Sequence, residues 1–208
     1  REVDRWLLGV IVLLMGLGTI AVAAAPPASA DQLSTAAVSL DPFLFLKRHV
    51  VFQVAGLALM VAVSLLSREE ARRLGILAFA VMFVLLVLVP FIGVEKNGSR
   101  RWLEVGMSLQ PSEFLKPGFA VLLAWILSWR LRDPQLPVLA FASLVMAMIA
   151  GLLMMQPNLG EAVLFGGIWL VLVTLAGVSL KRIAGVAGLG LAFLVAAYFF
   201  YGNAKSRI

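Results

Sequence analysis

A chain of 208 residues that is 62% hydrophobic and 13% charged, with a mean hydropathy of +1.02, is too apolar for a soluble domain and reads as helices in a bilayer. Continuous rather than alternating apolar runs exclude a transmembrane β-barrel, the absence of cysteine excludes disulfides and thiolate metal centres, and a single histidine excludes a multi-histidine site within one chain. The formal net charge of +6 points to anionic headgroups rather than to nucleic acid.

The opening Arg1-Glu2-Val3-Asp4-Arg5 is followed by an apolar run over 6–25, about one bilayer of helix. That run is too long for the apolar region of a signal peptide, and Ala28-Ser29-Ala30 is a poor cleavage site. Pro26-Pro27 ends the helix. Residues 28–48 read as a loop with a turn at Asp41-Pro42. The second span covers 49–66, with His49 at its boundary, and a charged connection over 67–73 leads to the third span at 74–94. Further spans are expected at 111–129, 138–155, 162–180 and 183–201. Arg130 to Pro137 forms a polar loop with two prolines, and Gln156-Pro157-Asn158-Leu159-Gly160-Glu161 interrupts the apolar sequence between the fifth and sixth spans. Gly166-Gly167 and the series Gly185, Gly188, Gly190 are expected to let helices pack closely. The fold class is therefore all-α: a single polytopic helix bundle over 1–208, with seven spans. With the N-terminus inside, nine basic residues fall inside and eight outside. This near-tie leaves orientation open and places cations outside, where an anionic ligand is the simple reason for them.

The stretch 97–117, NGSRRWLEVGMSLQPSEFLKP, concentrates charge between two apolar runs. Asn97-Gly98-Ser99 reads as a turn and the first half as a loop. Pro111 suits the first position of a helix. Glu113 and Lys116 are three apart and share a helix face. Charges carried into an apolar segment mark a functional site by default. Each has a plainer reading too. Arg100 and Arg101 suit headgroup phosphates, Trp102 an interfacial anchor, Glu113 and Lys116 a structural ion pair, and Gln156-Pro157 a helix end.

Gly98-Ser99-Arg100-Arg101-Trp102-Leu103, then Gln110-Pro111-Ser112-Glu113-Phe114-Leu115-Lys116-Pro117, resembles the signature of the SEDS family, the FtsW/RodA/SpoVE group of bacterial polytopic membrane proteins. Gln156-Pro157-Asn158-Leu159-Gly160 is similar to that family's Gln-Pro-Asp-Leu-Gly motif, with Asn158 where Asp is usual. Val3-Asp4-Arg5-Trp6-Leu7 and Leu40-Asp41-Pro42-Phe43 resemble the division branch more than the elongation branch.

The resemblance implies a peptidoglycan glycosyltransferase of the bacterial cytoplasmic membrane, N-terminus cytoplasmic. Such an enzyme polymerises lipid II at the outer face and releases undecaprenyl diphosphate. It implies ten spans and an essential Asp in a large outer loop after the seventh, so this chain is expected to be an N-terminal part, inactive alone, with its catalytic residue beyond Ile208. The implied substrate-binding residues are Arg100, Arg101, Trp102, Gln110, Glu113, Lys116, Gln156, Asn158 and Glu161. Arginine forks and Lys116 suit the leaving diphosphate, and Trp102 suits a sugar face. Glu161, one helical turn after Asn158, stands in for the missing carboxylate. The implied partners are lipid II, a class B penicillin-binding protein and membrane lipids, with no nucleic acid. No cofactor is evident and no metal site is expected, although a divalent cation is left open. A lipid II flippase and a non-catalytic division scaffold are the other readings.

Overall fold

A computed structural model describes residues 5–24, 43–96, 98–104, 106 and 108–200. The helix end at Pro26-Pro27, the turn at Asp41-Pro42, Asn97 and the polar residues after 201 lie outside the described residues. In chain order the elements are α1 (Arg5–Ala24), α2 (Leu44–Ser64), α3 (Arg68–Ile92), β1 (Val94–Lys96), β2 (Ser99–Glu104), β3 (Ser108–Leu109) and α4 (Pro111–Ser128). A short 3-10 turn (Trp129–Leu131) follows, then α5 (Val138–Met155), α6 (Leu159–Leu175) and α7 (Leu180–Phe200). Helices α1 to α5 are long and apolar enough to cross a membrane, and α6 is a shorter apolar helix of 17 residues. The chain is a multi-pass helical membrane protein.

Each expected span is a helix, but several bounds move. The charged connection over 67–73 is not a loop: α3 begins at Arg68. Glu69 accepts from Arg72 at 2.6 Å and Arg73 at 3.0 Å, three and four residues on. Those pairs, and acidic residues near a helix N-terminus, stabilise the first turn. The second span begins at Leu44, so His49 lies within a helix rather than at its edge. The first half of the central stretch is not irregular either. It is a three-stranded antiparallel sheet in the order β1-β2-β3. Val94 pairs with Trp102, Glu95 with Arg100 and Lys96 with Ser99. Leu103 pairs with Leu109 and Glu104 with Ser108. Gly98 makes the reversal with a φ of 69°, a conformation without steric penalty only for glycine. Ser99 and Leu103 are buried on one face of β2 at the two-residue period of a strand.

The chain divides into two compact units, Arg1–Ser67 and Arg68–Ile208. In the first, α1 and α2 pack together through a polar clasp. Thr19 Oγ1 donates to Gln53 Oε1 at 3.0 Å, and Gln53 Nε2 donates to the Met15 carbonyl at 2.7 Å. Interhelical bonds of this kind contribute about 0.6 kcal/mol each in a membrane.

The second unit carries the core. Its centre is Leu115, Phe119, Leu123, Ile149, Leu153 and Phe165, all without exposed surface. Phe119 and Phe165 meet edge to face at 5.1 Å. α3 and α4 cross at small residues: a Cβ on Gly118 would lie 2.8 Å from the Phe79 nitrogen and 2.9 Å from the Gly75 carbonyl oxygen. Backbones approach this closely only where glycine permits it. The glycines singled out from the sequence are not at such contacts. A Cβ on Gly167, Gly185, Gly188 or Gly190 would meet nothing within 4 Å, and one on Gly166 only the Met146 Cε at 3.8 Å.

Candidate functional site

The sheet, the start of α4 and the break between α5 and α6 bring the candidate residues to one end of the second unit. Pro111 opens α4, its missing N–H falling where a helix has no internal acceptor. Gln110 precedes it in an extended conformation and donates from Nε2 to Ser112 Oγ at 3.1 Å. One turn into α4, Lys116 Nζ lies 2.9 Å from Glu113 Oε2. From the start of α6, Glu161 meets the same ammonium, with Oε1 at 3.1 Å as the hydrogen-bond acceptor and Oε2 at 3.0 Å within ion-pairing distance. Lys116 is thus held by two carboxylates from different helices. Exposure grades outward: the Glu161 side chain is 11% exposed, Lys116 22% and Glu113 51%. Counted formally, two carboxylates against one ammonium give the trio a charge of −1.

The two arginines have different surroundings. Arg101 reaches from β2 to the α5–α6 break, where Nη2 donates to the Pro157 carbonyl at 2.7 Å and Nε to the Gln156 carbonyl at 3.4 Å. These are carbonyls at a helix C-terminus, without helical N–H partners, and a cation there also suits the helix dipole. Arg100, on the other face of the strand, lies 3.5 Å from Glu95, and both are more than half exposed. Trp102 is half-buried beside Val94.

The Gln156 side chain is buried and reaches α3, where Nε2 donates to the Leu86 carbonyl at 3.3 Å. Leu86 is four residues before Pro90, so proline has removed the amide that this carbonyl would accept in a regular helix. Gln156 replaces it. Asn158 precedes the first turn of α6, buried, and its Nδ2 has no hydrogen-bond partner among the described residues. Nine sequence candidates therefore occupy one end of the unit, yet two of them, Arg101 and Gln156, bind backbone carbonyls. Pro90 in a long apolar run was the legible signal for the Leu86–Gln156 bond, but nothing in the sequence pointed to its partner. The link from Glu161 to Lys116, 45 residues apart, was likewise not legible. Among the described residues no cluster of three or more His, Cys, Asp or Glu side chains has the arrangement of a metal site.

A family profile described as cell cycle protein, FtsW/RodA/SpoVE, matches residues 5–208. The chain is 34% identical over 206 residues to a probable peptidoglycan glycosyltransferase FtsW of Caulobacter vibrioides, covering 99% of this chain and 52% of that protein. It is 37% identical over 196 residues to the probable peptidoglycan glycosyltransferase FtsW of Thioalkalivibrio sulfidiphilus, covering 90% of this chain and 47% of the relative. Among solved structures it matches a chain from a peptidoglycan synthase complex with a TM-score of 0.76 and 28% identity, over 98% of this chain and 57% of that one. The rod shape determining protein RodA of Thermus thermophilus matches with a TM-score of 0.64 and 30% identity, over 88% and 58% of the two chains. The chain spans about half the length of the curated relatives it matches.

Proposed function

Since this chain belongs to the FtsW/RodA/SpoVE family, we propose that the whole protein is a peptidoglycan glycosyltransferase of the bacterial inner membrane that polymerises lipid II at the outer face, with its N-terminus cytoplasmic. The observation that carries this reading is the charged trio Glu113–Lys116–Glu161 at the end of the helices beside the small sheet. A structural ion pair needs one carboxylate, and a second one at the same ammonium leaves a partner that substrate can displace.

The reaction transfers a sugar from a diphosphate carrier to an acceptor hydroxyl. The anomeric carbon–oxygen bond to the diphosphate breaks, a new glycosidic bond forms, and the acceptor proton passes to a base. On this reading that base is the family's loop Asp, in sequence following Ile208. This chain's residues serve the leaving group. Arg100, exposed on the hairpin, meets the incoming diphosphate first. Glu113 is the outer carboxylate and swings off Lys116 as phosphate oxygens replace it. Glu161, held in the packed helix start, keeps the ammonium aimed outward. Fixed cations stabilise the departing charge without reorganising. Freed Glu113 and half-buried Trp102 suit sugar hydroxyls and a sugar face. Before substrate arrives Glu113 and Glu161 both pair with Lys116, and no step is assigned to a divalent cation.

The neighbouring structure from a peptidoglycan synthase complex supports a class B penicillin-binding protein as partner, and the FtsW-named relatives support a role in division. The test uses the complete protein with that partner, incubated with lipid II and scored for glycan strands. Lys116→Met should abolish polymer while the protein stays inserted and monodisperse. Normal strand synthesis by that variant sinks the assignment of Lys116. Lipid II crossing the bilayer with no strand formation by the unsubstituted protein would replace the enzyme by a flippase.

A further inference from the structure

At the end of α3 and α4 away from the sheet, the two helices leave an open groove enclosing about 400 Å³. Arg68, Ala71 and Arg72 line it from α3, and Val121, Ala124 and Trp125 from α4. One wall is cationic and the other apolar. The Arg72 guanidinium lies 5.7 Å from the centre of the Trp125 ring and also reaches Glu69. No described residue pairs with the Arg68 side chain. Trp125, Trp129 and Phe141 form a chain of edge-to-face contacts at 5.1 and 6.2 Å beside the groove. Such aromatic clusters at the ends of spanning helices sit at headgroup depth.

We propose that this groove binds an anionic phospholipid. Arg68 and Arg72 hold the headgroup phosphate, and an acyl chain lies along Val121, Ala124 and Trp125. The pair of guanidinium groups favours a lipid with net negative charge over a zwitterionic one, whose own ammonium offsets the phosphate. The apolar α4 wall favours a lipid over a free anion. Along α4 the groove residues Val121 to Trp125 lie roughly 8–14 Å from Lys116 at ~1.5 Å per residue, and the groove shares no residue with the charged trio. The inference stands apart from the enzymatic reading.

The chain is reconstituted in phosphatidylcholine vesicles carrying a trace of photoactivatable phosphatidylglycerol, or of photoactivatable phosphatidylcholine. Labelled peptides are mapped by mass spectrometry. The phosphatidylglycerol probe should label segments 68–73 and 121–128 in excess of the phosphatidylcholine probe. Arg68→Gln should lower that labelling about five-fold, leaving labelling around Lys181 and Arg182 unchanged as an internal reference. Ala124→Trp, which fills the groove without altering charge, should lower it as well. Equal labelling by the two probes overturns the proposal. So does an equal fall at Lys181 and Arg182, which would mean general surface attraction, or displacement by excess inorganic phosphate, which would mean a soluble-anion site.

Discussion

Replacing Gln156 by methionine keeps the volume of a buried side chain and strips the donor from the Leu86 carbonyl. That carbonyl has no amide of its own to accept, because Pro90 stands four residues later. Leu86 has no exposed surface, so neither water nor lipid headgroups can substitute. Interhelical hydrogen bonds in membranes average ~0.6 kcal/mol with a ceiling of ~1.7, and an orphaned buried acceptor places this one near the upper end. Gln156→Met should therefore cost about 1.5 kcal/mol. Pro90→Ala restores an N–H aimed at Leu86, and in that background Gln156→Met should cost only about 0.5 kcal/mol. The coupling of about 1 kcal/mol is readable in a double-mutant cycle of equilibrium unfolding, titrating a denaturing detergent into mixed micelles. Additive losses, with no coupling outside error, would refute the reasoning and return Gln156 to the candidate ligand contacts.

Gly118→Ala should destabilise by about 1–3 kcal/mol, because the added methyl meets Phe79 and Gly75 backbone rather than a mobile side chain; unchanged unfolding would mean that the crossing is looser than 2.8 Å implies. Reversing the pair with Glu113→Lys and Lys116→Glu should fail to restore polymerisation by the complete protein, since it places a carboxylate where Glu161 now meets an ammonium at 3.0 Å. Adding Glu161→Lys to the reversed pair should recover folding yield, and rescue by the reversed pair alone would remove Glu161 from the trio. Arg101→Gln should cost about 2 kcal/mol by releasing two carbonyls at the α5–α6 break. Arg100→Gln should change stability by less than about 0.5 kcal/mol, its pair with Glu95 being exposed, while weakening lipid II binding in a salt-dependent way. Equal stability losses from the two arginines would contradict the division of labour between the faces of β2.

Much of this molecule was legible in one dimension. A bilayer demands about 20 apolar residues per helix, and polar segments cannot be hidden inside them, so the seven helices among the described residues and their order follow from where the charges interrupt the runs. Pro111 at the first position of a helix and Gly98 in a turn were readable because their effects act within one or two residues. The errors arose where local signals competed. Residues 67–73 looked like a loop by charge, yet pairs three and four apart make them helix. Residues 99–104 looked irregular, yet paired strands on either side satisfy their backbone.

Tertiary structure decided which residues meet. The two arginines adjacent in sequence face opposite ways because strand neighbours alternate, which sends Arg101 to the Gln156 and Pro157 carbonyls and Arg100 to Glu95. Lys116 shares a helix face with Glu113 by spacing alone, but its second carboxylate, Glu161, arrives only because α6 packs on α4. The sequence determined that charges enter the membrane at this end of the bundle. Helix packing alone determined which of them neutralise one another, because a side chain's partner across 45 or 70 residues depends on the crossing of helices and not on any pattern along the chain.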